Sequence, residues 1–73
     1  MIVAVKQFGK KLLEIRAEKD LTQEQMAEIC GISTRHYRDL EHGTAHPSLD
    51  TALQISDALN FSLDELKHHS GSF

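Results

Sequence analysis

The residues of this chain that could do chemistry are concentrated between positions 34 and 42. Arg35, Arg38, Asp39 and His42 occupy positions i, i+3, i+4 and i+7, which places them on one side of a helix. An arginine can donate two hydrogen bonds to O6 and N7 of guanine, and an aspartate can accept one from N4 of cytosine. A polar stripe on a helix is more often only a solvated face, however. Spacing alone therefore leaves both interpretations open.

Other groupings that could bind a metal or carry out catalysis are weaker. The chain has five histidines, but Gly43 and Pro47 interrupt the helix around His42 and His46, and no cysteine or carboxylate completes a ligand set. The lone Cys30 stands at an apolar position and is expected to be a core residue. No Gly-rich phosphate loop or nucleophile elbow is present. We therefore predict no metal, no cofactor and no enzymatic activity.

Length and composition indicate a single small globular domain. The chain has 73 residues, of which 40% are hydrophobic and 26% charged. No apolar run approaches the roughly 18 residues that suggest a membrane span, and the first six residues are too short for the apolar core of a secretion signal. A single cysteine, which cannot form an internal disulfide, fits a reducing compartment. The prediction is a cytoplasmic protein without a membrane segment.

The charge is unevenly distributed along the chain. The formal net charge is -3, whereas a nucleic-acid-binding domain is usually basic. Yet all lysines and arginines except Lys67 precede Asp39 (Lys6, Lys10, Lys11, Arg16, Lys19, Arg35 and Arg38). Such a molecule can present a basic side to DNA and an acidic side to solvent or to a partner.

Hydrophobic periodicity predicts the helices that come before the polar stripe. A first helix over about residues 5–19 carries Phe8, Leu12 and Ile15 at i, i+4 and i+7, so these residues form one apolar stripe. A second helix follows, and its apolar contacts are expected from four residues (Met26, Ala27, Ile29 and Cys30).

Capping residues define the turn between the second and third helices. Thr22 precedes Gln25 by three residues, the spacing of a capping box, and Gly31 can take the left-handed conformation that ends a helix. Ser33 is then the N-cap of a third helix over residues 34–42. Two short helices joined by a Gly-containing turn of about three residues have the geometry of a helix-turn-helix, although many helical hairpins share that spacing.

The remaining sequence predicts two more helices. One side of the fourth is expected to be apolar (Leu49, Ala52, Leu53, Ser56 and Leu59). Asn60 can take the left-handed turn that ends it, and Ser62 with Glu65 forms a second capping box that opens a short fifth helix. We expect one domain over residues 5–68 and a loose C-terminal tail over residues 69–73.

The run LTQEQMAEICGIS at 21–33 resembles the opening of the phage repressor/Cro-like helix-turn-helix family. The motifs LEHG at 40–43, PSL at 47–49 and SLDEL at 62–66 continue the resemblance in the expected order. It covers about residues 8–66. The resemblance implies a compact all-α, lambda-repressor-like bundle of five helices. It also implies a sequence-specific transcriptional regulator that binds a palindromic operator as a dimer.

The resemblance further implies which residues would contact DNA. In such proteins the third helix lies in the major groove while the second crosses the phosphates. By position, bases would be contacted from the third helix (Thr34, Arg35, Arg38 and Asp39). Phosphates would be contacted by a second set (Gln23, Arg16, His36 and His42). Arg16 and Glu41 would form a structural ion pair between the first and third helices.

The sequence departs from the family's pattern in four places. The loop at 44–46 carries no permanent charge, and Leu13 stands where a basic residue is common. Asp20 replaces the usual glycine, and Asp39 would bring a negative charge to DNA. These departures predict fewer phosphate contacts for each monomer.

Two functions therefore remain open. The first is DNA binding by a homodimer that associates through the fifth helix and tail, with Leu63 and Leu66, together with Phe61 or Phe73, in the interface. The alternative is a protein-interaction module of the same fold, of antitoxin or antirepressor type, with weak or no DNA binding. Net charge favours the alternative, whereas Gln23 and the arginines of the third helix favour DNA. No small-molecule effector is evident.

Overall fold

Four α-helices follow one another in this computed structural model, which describes residues 2–66 and the side chains of residues 5–66. They are α1 (Ile2–Lys19), α2 (Gln23–Cys30), α3 (Thr34–His42) and α4 (Leu49–Ala58). Residues 64–66 are helical too and begin the predicted fifth helix. The rest of that helix and the predicted tail at 69–73 lie outside the described residues. No strand occurs within residues 2–66, and the all-α fold class is confirmed.

The predicted caps hold α2 and α3 at a fixed turn. The Thr22 hydroxyl accepts the backbone N–H of Gln25 at 3.1 Å, and the Gln25 side chain accepts the Thr22 N–H at 2.9 Å. Gly31 ends α2 with φ 74°, in the left-handed region that a side chain would strain. Ser33 then caps α3 by accepting the N–H of His36 at 3.1 Å. The capping box and both caps are confirmed.

Two non-glycine residues also adopt the left-handed conformation. Asp20, with φ 56°, ends α1, so an aspartate adopts a backbone conformation that costs glycine less free energy. Asn60, with φ 59°, follows α4 as predicted. The second capping box is only half formed. The Ser62 N–H donates to the Glu65 carboxylate at 3.1 Å, but the Ser62 hydroxyl accepts from the N–H of Asp64 instead of Glu65.

The core lies where the four helices meet, and ten apolar side chains are buried in it (Phe8, Leu12, Ile15, Met26, Ala27, Cys30, Tyr37, Leu40, Ile55 and Leu59). Three predicted contacts are wrong: Ile29 is 46% exposed, Leu49 71% and Leu53 49%. In α4 the buried stripe instead runs through Ile55, which is fully buried. This helix packs against α2. There Gln54 Nε2 donates to the carbonyl oxygen of Cys30 at 2.7 Å.

The helices α1 and α3 approach each other closely at Gly9. A Cβ atom at this position would lie 2.5 Å from the carbonyl oxygen of Leu40 and 2.7 Å from that of Glu41. Only a residue without a side chain permits this approach, because both neighbours are backbone atoms. The close packing brings the C-terminal turn of α3 against α1.

The start of the fifth helix is held on α1. The Lys11 ammonium lies 2.7 Å from the Glu65 carboxylate and 5.7 Å from the centroid of the Phe61 ring. That ring also packs against Phe8, with 6.3 Å between ring centroids. None of the helices within the described part of the chain has the length and apolarity needed to span a bilayer.

Candidate nucleic-acid interface

The outward side of α3 carries the residues expected to read bases. Arg35 and Arg38 are exposed, while Thr34 and Asp39 are half-buried. This exposure follows from the helical period, because Tyr37 and Leu40 are buried on the opposite side of α3. The structure therefore brings the four predicted base-contacting residues to one surface beside the start of α2.

A buried carboxylate lies behind this surface. The Glu41 side chain is only 4% exposed and accepts two hydrogen bonds from the Arg16 guanidinium. Nε of Arg16 lies 2.8 Å from Oε2, and Nη2 lies 3.1 Å from Oε1. Arg16 Nη1 also donates to the carbonyl oxygen of Leu21 at 3.3 Å. The structure thus brings Arg16 and Glu41 into the two-point ion pair that joins α1 to α3.

Two further donors complete the surroundings of this carboxylate. The Tyr37 hydroxyl donates to Oε2 of Glu41 at 2.7 Å, and Gln23 Nε2 donates to Oε1 at 2.9 Å. Sequence reasoning missed Tyr37, although its place four residues before Glu41 on one helix is the spacing at which side chains meet. Together with Arg16 and Arg38, these residues form a hydrogen-bonded group that we call the Glu41 network.

The network shifts the titration of its members. Burial by itself would raise the pKa of the Glu41 carboxyl, but its three side-chain donors outweigh burial and hold the pKa below its ordinary value. The hydrogen bond to Glu41 raises the pKa of Arg16. Burial raises the pKa of Tyr37, and its hydrogen bond to the Glu41 carboxylate raises it further. The carboxylate is therefore charged, and both neighbours stay protonated, at neutral pH.

The network extends from the buried ion pair to the surface of α3 through Gln23. This residue begins α2, and its Oε1 atom accepts a hydrogen bond from Nε of Arg38 at 3.3 Å. The Gln23–Arg38 contact was not predicted, because it joins residues 15 positions apart on different helices.

The other predicted phosphate ligands lie outside the network. The side chain of His36 is half-buried and that of His42 is exposed. Arg16 donates two of its five N–H groups to Glu41 and a third to the carbonyl oxygen of Leu21, which leaves two for another acceptor.

The described residues contain no group of three His, Cys, Asp or Glu side chains that could hold a metal ion. Cys30 is buried at the end of α2, and burial raises its pKa to about 11, so the thiol stays protonated. It packs in the core as predicted.

Comparison with known proteins identifies similar sequences along most of the chain. A family model described as helix-turn-helix matches residues 12–66. YonR of Bacillus subtilis (strain 168), an HTH-type transcriptional regulator derived from the SPbeta prophage, is 37% identical over 59 residues, which are 81% of this chain and 55% of YonR. The transcriptional repressor RstR of cryptic phage CTXphi from Vibrio cholerae is 39% identical over 57 residues, which are 78% of this chain and 51% of RstR. The chain thus spans about half the length of these relatives.

A similar fold is found in a crystal structure. The restriction-modification controller protein C.AhdI from Aeromonas hydrophila matches with a TM-score of 0.73 and 32% sequence identity. The match covers 85% of this chain and 94% of C.AhdI.

Proposed function

Because the chain belongs to the helix-turn-helix family, we propose that it is a sequence-specific DNA-binding transcriptional regulator. The family membership predicted from the motifs is confirmed, and the relatives are named as regulators rather than enzymes. The observation that carries the proposal is the Glu41 network. It fixes α2 and α3 relative to each other while the arginines of α3 remain exposed. A helix presented in this way fits the major groove.

In the proposed complex, α3 lies in the major groove and its four outward residues contact base edges (Thr34, Arg35, Arg38 and Asp39). Phosphates are contacted from the C-terminal part of α1, from the start of α2 and from α3 (Arg16, Gln23, His36 and His42). Gln23 has a second amide N–H that can serve a phosphate. The two remaining N–H groups of Arg16 can do the same. The domain at 5–68 is the DNA-binding unit, acting in the cytoplasm.

The proposed assembly is a homodimer through the fifth helix and tail, on a palindromic operator with half-sites ~34 Å apart. Leu63 and Leu66 support this arrangement because they line an apolar groove together with Val5 and Ala52. Phe61 is engaged within its own chain by Phe8 and is therefore the weaker interface candidate. Phe73 lies outside the described residues.

One observation favours the alternative, a protein-interaction role. Residues 39–66 contain no lysine or arginine, and α4 exposes Leu49 and Leu53 close in sequence to Asp50 and Asp57. An acidic surface with exposed leucines suits a basic partner protein better than it suits DNA.

The deciding experiment selects duplexes from a random pool and then measures binding to the selected and a scrambled duplex. Arg35→Ala should cost ~1–3 kcal/mol on the selected duplex and relax discrimination at one base pair. Its effect on the scrambled duplex should be smaller. Leu49→Ser on α4 is the matched control and should leave both affinities unchanged. If the folded parent enriches no duplex, DNA binding is wrong and the protein-interaction alternative replaces it.

A further inference from the structure

The Gln23 amide lies between a buried carboxylate and an exposed guanidinium. Its Nε2 atom donates to Oε1 of Glu41 at 2.9 Å, while its Oε1 atom accepts from Nε of Arg38 at 3.3 Å. Glu41 is ionised and can only accept hydrogen bonds, and Arg38 can only donate them. The amide therefore has one orientation that satisfies both neighbours, with nitrogen toward Glu41 and oxygen toward Arg38. The buried carboxylate thus determines which atom of Gln23 meets Arg38.

This contact determines which N–H groups of Arg38 remain for DNA. A guanidinium has five N–H groups, and the one on Nε is taken by Gln23. The groups on Nη1 and Nη2 remain and form a two-pronged donor. The major-groove edge of guanine offers a matching pair of acceptors, O6 and N7. A side chain held at Nε also loses less rotational freedom when it binds, because part of that freedom is already lost.

We propose that Gln23 is a specificity-determining positioning residue: it holds Arg38 by Nε so that Nη1 and Nη2 bind O6 and N7 of one guanine. The inference rests on the proposed DNA-binding function. Gln23 does not read the base itself and acts through Arg38. Its second amide N–H remains for a phosphate, so one side chain couples the backbone contact to base recognition.

Arg35 provides a matched comparison on the same helix. It is exposed like Arg38 and lies three residues before it. Unlike Arg38, Arg35 makes no side-chain hydrogen bond to Gln23. A mutation of Gln23 should therefore affect recognition by Arg38 and leave recognition by Arg35 unchanged.

The test is a double-mutant cycle on discrimination ratios. The full chain is titrated with a selected duplex and with duplexes carrying each single base-pair replacement. The ratio of Kd values, replaced over selected, is taken at every position. Any uniform loss from a missing phosphate contact cancels in this ratio, so only base recognition is measured.

Arg38→Ala should reduce the ratio about tenfold at one G·C pair. Gln23→Ala should reduce the ratio several-fold at the same pair, and the double variant should fall no further than Arg38→Ala alone. Arg35→Ala should reduce the ratio at a different pair, where adding Gln23→Ala changes nothing.

The variants should remain folded, because both carboxylate oxygens of Glu41 keep a hydrogen bond from Arg16 when Gln23 is truncated. Thermal unfolding followed by circular dichroism checks this. Gln23→Met, which keeps the side-chain length but neither polar group, replaces the alanine variant if that one unfolds.

Two results would overturn the proposal while leaving DNA binding intact. In the first, Gln23→Ala lowers affinity equally for all duplexes and leaves every ratio as in the parent. In the second, Arg38→Ala changes no ratio. A folded parent that binds no duplex would instead overturn the proposed function together with this inference, so the two failures are distinguishable.

Discussion

At the junction of α1, α2 and α3 the helices are joined by hydrogen bonds between charged and polar side chains, whereas α4 packs on its neighbours mainly through apolar side chains. In the first region, Glu41 accepts bonds from Arg16, Gln23 and Tyr37. In the second, Ile55 and Leu59 are buried. Hydrogen bonds are directional and apolar contacts are not. The first region can therefore fix the orientation of surface side chains, while the second mainly supplies burial.

The surfaces of the two regions differ as well. Basic residues are exposed on α1 and α3, whereas from residue 39 to residue 66 the chain carries no lysine or arginine. The net charge of -3 is the sum over both regions and does not show that the basic residues lie in one of them. A negative net charge is thus compatible with a basic recognition surface, since the field near DNA depends on the distribution of charge.

The largest expected effect is the loss of the carboxylate at the centre of the Glu41 network. Glu41→Ala removes the carboxylate that Arg16, Gln23 and Tyr37 share as an acceptor. Breaking a buried ion pair in this way costs ~3–5 kcal/mol, and we expect the lower end of that range because the Arg16 side chain is 25% exposed. The matched change in the other region is Leu53→Ser at an exposed position of α4, and it should change the free energy of unfolding by no more than ~0.5 kcal/mol. Urea unfolding followed by circular dichroism measures both.

A rescue variant separates the ion pair from simple loss of volume. Replacing both partners, Arg16→Met with Glu41→Leu, should recover much of the loss, because neither charge is then left without its partner. If Glu41→Ala melts within about a degree of the parent, which corresponds to well under 1 kcal/mol, the contrast between the two regions is wrong.

A smaller effect is expected from Gly9→Ala, which tests the backbone contact that brings α3 to α1. The added methyl group would meet two carbonyl oxygens at 2.5 and 2.7 Å, and relieving such overpacking costs ~1–3 kcal/mol. Lys10→Ala, an exposed neighbour on the same helix, is the control and should be nearly neutral. Equal melting temperatures for the two variants would mean that α1 and α3 can separate without loss.

The smallest expected effect is the dependence of stability on acidic pH. The pKa of Glu41 is lower in the folded chain than its ordinary value of 4.5, so the folded state binds fewer protons than the unfolded state in acid. This contribution to stability is fully present above about pH 4.5 and is lost as pH falls through the lowered pKa. Glu41→Gln removes the titrating group, so its melting temperature should fall less between pH 6 and pH 3 than that of the parent. Parallel pH profiles for the two proteins would contradict the assignment.

Most of α2 and α3 could be predicted from the sequence, because caps and turns depend on neighbours in the chain. Thr22 and Ser33 accept backbone N–H groups three residues further along the chain, and Gly31 directly follows the helix that it ends. The burial of α4 was only partly predicted. The predicted apolar side includes Ser56 and Leu59, which are buried, but it also includes Leu49 and Leu53, which are exposed, and it omits the buried Ile55.

The candidate site was predictable as a set of positions but not as a set of contacts. Arg16 and Glu41 were paired through the family resemblance, and the structure brings them together. The contact of Gln23 with Arg38 had no local signal, since its two residues belong to different helices. The sequence did not predict the close approach at Gly9 either. A glycine inside a helix lacks a Cβ atom, but the sequence does not show which neighbouring atoms lie in that space.

By itself, therefore, the sequence determined α1 to α4, the caps of α2 and α3, and the family, since these depend on local spacing and on motifs in order. Tertiary structure alone decided that Ile55 rather than Leu49 is buried and that α1 contacts α3 at Gly9. It also decided that Gln23 is hydrogen-bonded to both Glu41 and Arg38. These features depend on how helices pack against one another. A helix has several faces that could be buried, and only its neighbours determine which one is.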